Sequence, residues 1–293
     1  MAEQPRIATP SETSAILKRH GFRFKKSLGQ NFLTNPQILT RIVAAGDVSP
    51  DDDVIEIGPG IGALTQYLAE AAHQVLALEI DPRLIPVLAD TLAGYPNTTV
   101  VEADVLKADL PTLIADHFDG EHQLKVVANL PYYITTPILM HLMQTGVAFE
   151  RLVVMMQKEV AARLVAQPNS KDYGSLSIAI QQTMDVEIAF EVNRNAFVPA
   201  PNVDSAIIKL SRRQTPRAAV TDQAAFDRLV RGSFMSRRKT LWNNLVNLYG
   251  KDQKPLIRAA LDASGIQASA RAEQLSISDF ATLTSNLSHQ GLS

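Results

Sequence analysis

Asp53-Val54-Ile55-Glu56-Ile57-Gly58-Pro59-Gly60-Ile61-Gly62 is the stretch that decides the fold. It reads as a strand running into a glycine-rich turn, and the apolar residues 63–71 that follow read as a helix. Strand, glycine turn and helix in that order make the nucleotide-binding opening of a doubly wound α/β sheet. Glycines let the backbone approach a ligand closely. The spacing is G-x-G-x-G, whereas the dinucleotide fingerprint is G-x-G-x-x-G, which argues against a nicotinamide dinucleotide. A plain tight turn between strand and helix is the alternative.

Working outward, residues 74–80 form the next strand and carry Glu79 near its end. An acid at this distance from the glycine turn can accept hydrogen bonds from both ribose hydroxyls, and it repels a 2′-phosphate. An exposed strand-end acid is the alternative. Asp81-Pro82 is expected to cap the following helix. Residues 98–104 are the third strand, where Asp104 is placed either to accept from an adenine amino group or to cap a helix. The fourth strand, 123–128, runs into Asn129-Leu130-Pro131-Tyr132. Pro131 holds Leu130 extended, which suits a rigid pocket floor. There the Asn129 side-chain oxygen and the Leu130 carbonyl can both accept from one amino group, and Tyr132 can stack on a flat ring. A simple turn closing the strand is the rival reading. A fifth strand follows at 151–157, then two at the sheet edge, 186–192 and 205–210. Phe197, in the proline-stiffened loop between those two, is either the second face of an aromatic clamp or a loop anchor in the core.

Upstream, Thr9-Pro10-Ser11-Glu12 marks a helix start and Gly21 its end. The basic and aromatic run 22–33 lacks a helical or strand period and reads as a loop. Asn35-Pro36 opens another helix, which Gly46 ends. Downstream, 211–217 is basic and broken by proline, the best linker candidate. Helices are expected beyond it at 222–232, 237–249, 254–264 and 276–287. Arg231, Arg237, Arg238 and Lys239 flank Phe234 and Trp242. Cations clustered at a helix start oppose its dipole, so phosphate binding gives them a reason; an ordinary helix surface is the alternative.

The formal net charge of -2 hides an asymmetry. Residues 1–193 hold 14 Lys/Arg against 23 Asp/Glu, and residues 194–271 hold 14 against 5. A basic second part points to a polyanion partner. The absence of cysteine excludes disulfides, thiolate metal sites and thiol nucleophiles. Six histidines without a tight pair give no metal-ligand spacing, so no metal is expected. No apolar run reaches the roughly 20 residues of a spanning helix, and Met1-Ala2-Glu3-Gln4-Pro5-Arg6 is no secretory leader. The expectation is a soluble, cytoplasmic protein that engages no membrane.

Four motifs then occur in one order: Leu28-Gly29-Gln30-Asn31-Phe32-Leu33, Glu56-Ile57-Gly58-Pro59-Gly60, Asn129-Leu130-Pro131-Tyr132, and Phe197-Val198-Pro199-Ala200-Pro201-Asn202-Val203-Asp204-Ser205. Together they resemble the 16S ribosomal RNA adenine N6-dimethyltransferases, the kasugamycin-resistance family, from about residue 20 to the C-terminal helices. The resemblance implies an α/β, Rossmann-like S-adenosylmethionine-dependent methyltransferase fold. Its sheet would have seven strands, mostly parallel with one antiparallel edge strand, in a catalytic domain of residues 1–214. A small all-helical RNA-binding domain would follow at 215–293. It further implies that Asn31, Leu33, Gly58, Glu79, Asp104 and Asn129 contact S-adenosylmethionine, with Gly60 in the turn. The implied reaction places two methyl groups on N6 of each of two adjacent adenines near the 3′ end of 16S rRNA. The implied substrate is the small ribosomal subunit or its precursor, methylated by a monomeric enzyme late in subunit assembly. Three rivals remain: the related antibiotic-resistance methyltransferases of a large-subunit adenine, a non-catalytic RNA-binding or assembly factor that keeps the fold, and, weakest, a DNA adenine methyltransferase, for which the helical basic part lacks a helix-turn-helix signature.

Overall fold

The computed structural model describes residues 6–25 and 29–292. Residues 1–5, Lys26, Ser27 and Leu28 of the first motif lie outside the described residues. Nine strands occur among the described residues: β1 (Phe32–Leu33), β2 (Asp52–Ile57), β3 (Gln74–Glu79), β4 (Thr98–Glu102), β5 (Gln123–Asn129), β6 (Arg151–Gln157), β7 (Met184–Val192), β8 (Phe197–Val198) and β9 (Ser205–Arg212). Seven build one sheet in the order β4-β3-β2-β5-β6-β9-β7, and β1 pairs with β8 alone. From β4 to β6 every neighbouring pair is parallel. Parallel neighbours need crossovers, and helices supply them. After α1 (Pro10–Arg19) and α2 (Pro36–Ala45), these are α3 (Ala63–Ala71), α4 (Ile85–Thr91), α5 (Leu110–His117) and α6 (Thr135–Gln144). A parallel strand covered on both faces is buried throughout, as all six residues of β2 are. The sheet order reverses on either side of β2, which makes the carboxyl ends of β2 and β5 the place for a ligand crevice.

Several elements differ from the sequence reading. Asp81 does not cap α4, which begins at Ile85 without a side-chain cap. Helix α5, capped by Asp109, was not anticipated; the chain between 104 and 123 has too short an apolar pattern to announce it. Strand β9 is antiparallel to β6 and lies one place inside the edge, which is occupied by β7. Asn129 is the last residue of β5 rather than the first of a turn.

The chain divides into two compact units, Met1–Ala161 with Glu187–Arg212, and Ala162–Val186 with Arg213–Ser293. The sequence reading places residues 162–186 in the catalytic part. In the structure Tyr173 and Ile178 share an apolar core with Phe226, Leu229 and Phe280, so this excursion belongs with the C-terminal helices. Besides α7 (Lys158–Val165) and α8 (Ser175–Gln181), the helices are α9 (Gln223–Ser233), α10 (Leu241–Tyr249), α11 (Lys254–Ala263) and α12 (Ile277–His289). Helix α10 starts four residues later than expected, with Thr240 as its N-cap. Counted by unit, the second holds 13 Lys/Arg against 8 Asp/Glu and the first 15 against 22. The asymmetry of charge survives the new boundary in reduced form.

One ion pair is built into the sheet. Lys125 of β5, 5% exposed, donates to Asp52 Oδ2 of β2 at 2.8 Å and to the Asp47 carbonyl at 2.7 Å. The Ser49 amide and hydroxyl complete the carboxylate's partners. Removing one member leaves an uncompensated buried charge. Lys125→Met is therefore expected to cost about 3–5 kcal/mol in denaturant unfolding; a loss below about 1 kcal/mol would contradict this account.

Candidate active site

The parallel register brings the ends of four strands to one edge. Gly58 follows β2, Glu79 ends β3, Asp104 follows β4 and Asn129 ends β5. All four line a single pocket of about 1150 Å3, its open mouth included, together with Asn31, Leu33, Gly60, Leu130, Pro131, Tyr132 and Phe197. The expected pocket residues are thus in one place. The glycine turn is shaped by positive φ at Gly58 (70°) and Gly60 (63°), a region other residues rarely enter. Gly60 has a second reason. A Cβ there would come within 2.9 Å of the Phe32 ring. A Cβ on Gly58 would meet nothing within 4 Å, because the space beside it belongs to the pocket.

Glu79 is almost fully buried, and each of its oxygens accepts one amide: Oε2 from Gly60 at 3.2 Å and Oε1 from Asp81 at 2.9 Å. Burial pushes its carboxyl above the usual range, against the pull of those amides. Each oxygen keeps a lone pair for a ligand hydroxyl. Asp104 accepts the Leu106 amide at 3.1 Å and lies 3.6 Å from Lys107, so its first duty is to shape the turn after β4. It is no cap of α5, yet it lines the pocket.

The tetrapeptide after β5 holds two acceptors in reserve. Asn129 Nδ2 donates to the Asn31 carbonyl at 3.4 Å, and Oδ1 has no partner among the described residues. The Leu130 carbonyl accepts no backbone bond from the described residues, whereas the next carbonyl, Pro131, is taken by Ile134 and Thr135. Tyr132 is half-buried, and its hydroxyl shares a 2.6 Å hydrogen bond with Ser205 Oγ at the start of β9. Phe197 is 4% exposed, an anchor in the core, and it also lines the pocket.

A connection invisible in the sequence joins the first and last motifs. β1 and β8 pair antiparallel, Leu33 opposite Phe197 and Phe32 opposite Val198. Only the last two residues of the segment read as a loop, Phe32 and Leu33, form a short strand, and Asn31 and Leu33 at this end line the pocket. Behind it, Gln30 donates to Asp81 at 2.9 Å and Arg83 donates to the Arg23 carbonyl at 3.1 Å. The Arg83 guanidinium, 2.5 Å from Asp81, holds that carboxyl down to about 2. Asp81 thus ties the arm to the sheet.

Within the second unit, the four predicted cations separate. Arg237 donates to the Lys171 and Tyr173 carbonyls and thereby braces that loop. Arg231 donates to the Asp227 carbonyl of its own helix, with its side chain exposed. Arg238 and Lys239 are exposed in the turn before Thr240.

A family model described as ribosomal RNA adenine dimethylase matches residues 21–289. The chain belongs to the ribosomal RNA adenine dimethylase family. A protein of Latilactobacillus sakei named ribosomal RNA small subunit methyltransferase A is 62% identical over 97% of this chain and 96% of its own. One of the same name from Streptococcus pneumoniae is 56% identical over 98% and 100%. Among solved structures, a dimethyladenosine transferase from Plasmodium falciparum is 29% identical with a TM-score of 0.74, covering 89% of this chain and 98% of that one. The 23S rRNA methyltransferase ErmE is 30% identical with a TM-score of 0.63, covering 88% and 100%.

The dimethylase uses S-adenosylmethionine, and the pocket suits that molecule. The open space at Gly58 leaves room for a ligand close to the backbone, the Glu79 carboxylate is an acceptor suited to hydroxyls, and apolar Ile80, Val105 and Ile134 line the same pocket as Asp104. One pocket residue went unread in the sequence. Glu56, the residue before the last of β2, is 1% exposed, and its Oε2 has no hydrogen-bond partner among the described residues. Burial, reinforced by the Glu79 charge, pushes it up to about 8. The available signal was an acid set among Val54, Ile55 and Ile57. Because this group binds its proton more tightly folded than unfolded, its contribution to stability is present at low pH. That contribution is lost as pH rises from about 4.5 toward 8. Glu56→Gln should remove the loss, so the variant gains stability over the parent between those pH values, by about 5 kcal/mol at most. Thermal unfolding without cofactor across that range checks the sign; a gap that narrows with rising pH would refute it.

Proposed function

We propose that this dimethylase transfers methyl groups to N6 of two adjacent adenines near the 3′ end of 16S rRNA, within the small ribosomal subunit or its precursor. The observation that carries the chemistry is the pair of unpartnered acceptors, Asn129 Oδ1 and the Leu130 carbonyl, side by side in the pocket. An adenine amino nitrogen is a poor nucleophile because its lone pair is delocalised into the ring. Asn129 Oδ1 and the Leu130 carbonyl accept its two hydrogens, favour a pyramidal nitrogen and free the lone pair. Bound S-adenosylmethionine supplies a sulfonium methyl group. No strong general base is needed, and positioning with electrostatics carries the rate. The base must leave its stack at a cost of a few kcal/mol. Tyr132 and Phe197 offset this by stacking, at about 1–3 kcal/mol per base. The Ser205 hydrogen bond fixes the Tyr132 ring and so lowers the entropy lost on stacking. On the cofactor side, Asn31, Leu33, Gly58, Gly60, Glu79 and Asp104 form the binding wall, with Asn129 between the two ligands.

The small-subunit assignment is supported by the names of relatives at 62% and 59% identity over nearly the whole chain, against 30% for the 23S rRNA methyltransferase. The second unit, residues 162–186 and 213–293, supplies the RNA-binding surface through Arg231, Arg238 and Lys239, with Arg237 bracing the loop beside them. The enzyme works in the cytoplasm as a monomer, and its encounter with the particle serves late assembly as well as methylation. No helix among the described residues is long and apolar enough to cross a membrane.

Isotope-labelled methyl groups should enter small-subunit particles that lack the modification and not large-subunit ones. Asn129→Ala should cut transfer by about 10²-fold or more. Label found only in large-subunit RNA would sink the assignment. Neutralising Arg231, Arg238 and Lys239 together should weaken particle binding and flatten its salt dependence, by about 0.7–0.9 in log–log slope for each phosphate no longer neutralised. An unchanged slope would count against this surface.

A further inference from the structure

The opposite edge of the sheet, at the amino ends of the strands, holds a cluster that methyl transfer does not use. Asp53 lies in β2, His73 immediately precedes β3, and His122 immediately precedes β5. These are three adjacent strands, and their backbones are pinned together. The His73 amide donates to the Asp52 carbonyl at 2.9 Å, and the Gln123 amide to the Asp51 carbonyl at 3.1 Å. Side-chain ligand atoms of Asp53, His73 and His122 all lie within 4.8 Å of one another. His73 Nδ1 is 2.9 Å from Asp53 Oδ1, and His122 Nδ1 is 3.2 Å from Asp119 Oδ1. The two imidazoles stack with centroids 3.7 Å apart and planes 12° from parallel.

We propose that Asp53, His73 and His122, with Asp119 as fourth ligand, bind one divalent transition-metal ion, zinc foremost. The donor set is two imidazole nitrogens and two carboxylates, which suits zinc and its neighbours rather than calcium or magnesium, whose sites are built of oxygens. The two carboxylates balance the charge of the ion. Asp53 itself gives a reason for a cation. Its side chain is only 2% exposed, and the partner facing it is His73. Its neighbour Asp52, equally buried, has the Lys125 ammonium at 2.8 Å. The 2.9 Å between His73 Nδ1 and Asp53 Oδ1 is close to the separation of about 3.3 Å that two ligands of a tetrahedral zinc require. Stacked rings direct their lone pairs side by side, so convergence on one ion needs His122 to rotate. Its place in the turn before β5, with a side chain 24% exposed, leaves room for that. Coordination takes neutral imidazoles, so any proton on the coordinating nitrogens leaves for solvent. The bound ion would tie β2, β3 and the start of β5 together. The 48 residues between the two histidines explain why sequence spacing gave no metal signal.

The test uses the full chain stripped with a chelator and titrated with zinc chloride by calorimetry, with metal content measured after dialysis. One zinc per chain is expected. His73→Asn and His122→Asn should each weaken binding by about 10–100-fold or more, and His20→Asn, whose ring pairs with Asp90 outside the cluster, should leave it unchanged. Failure of the unaltered chain to retain zinc, or affinity indifferent to His73→Asn and His122→Asn, overturns the proposal. Should those variants misfold, cobalt(II) in the unaltered chain decides. Intense visible bands of a four-coordinate site support the proposal, and the weak spectrum of a six-coordinate ion overturns it. With no cysteine in the chain, thiolate bands cannot obscure the reading.

Discussion

Parallel pairing of β3, β2 and β5 is the constraint on which the pocket rests. Ile57 stands opposite Leu78 on one side and Ala128 on the other, so the chain leaves all three strands at the same level. A slip of one residue in either ladder would turn Glu79 or Asn129 onto the other face of the sheet. The Gly60 amide on Glu79 fastens the first crossover to the second strand and orients the acid. Hydrogen bonding within the sheet thus does the positioning, and the ligand-facing atoms are left with lone pairs to spare.

The parts that were legible from sequence share one property: their signal is local. The glycine turn, Asp104 and the Asn129–Tyr132 motif each announce themselves within ten residues, and Glu79 within about twenty of the glycine turn, because an unusual residue type at a strand end has few other uses. The parts that were not legible depend on distant partners. The run at 22–33 carries no strand period because only Phe32 and Leu33 pair, and their partners lie beyond residue 196. Asp81 looks like a helix cap until Arg83 and Gln30 claim it. Arg237 resembles its neighbours Arg238 and Lys239 in sequence, yet two carbonyls of a loop more than 60 residues away occupy its guanidinium. Residues 162–186 read as a continuation of the sheet domain, and only their packing against Phe226 and Phe280 assigns them elsewhere.

β2 also shows how one strand accommodates three buried acids by three different means. Asp52 is neutralised by an ammonium, Asp53 faces an imidazole, and burial pushes Glu56 toward its neutral form. Desolvating a carboxylate costs several kcal/mol unless a partner or a proton relieves it. A wholly hydrophobic strand would fold without that penalty. The acids therefore mark where the sheet gives up stability, and two of the three lie at the end away from the pocket.

The pairing of β1 with β8 has a consequence for the order of events during synthesis. Its hydrogen bonds span 162 residues, as between Thr34 and Ala196, so the pocket is a feature of high contact order. An emerging chain can lay down β2, β3 and β4 with their crossovers from neighbouring segments. It cannot close the wall formed by Leu33 and Phe197 until residue 198 has left the exit tunnel. A chain truncated before that point would hold the glycine turn and its acid but not a closed pocket, and competence to hold the cofactor arrives as one of the last acts in folding the first unit.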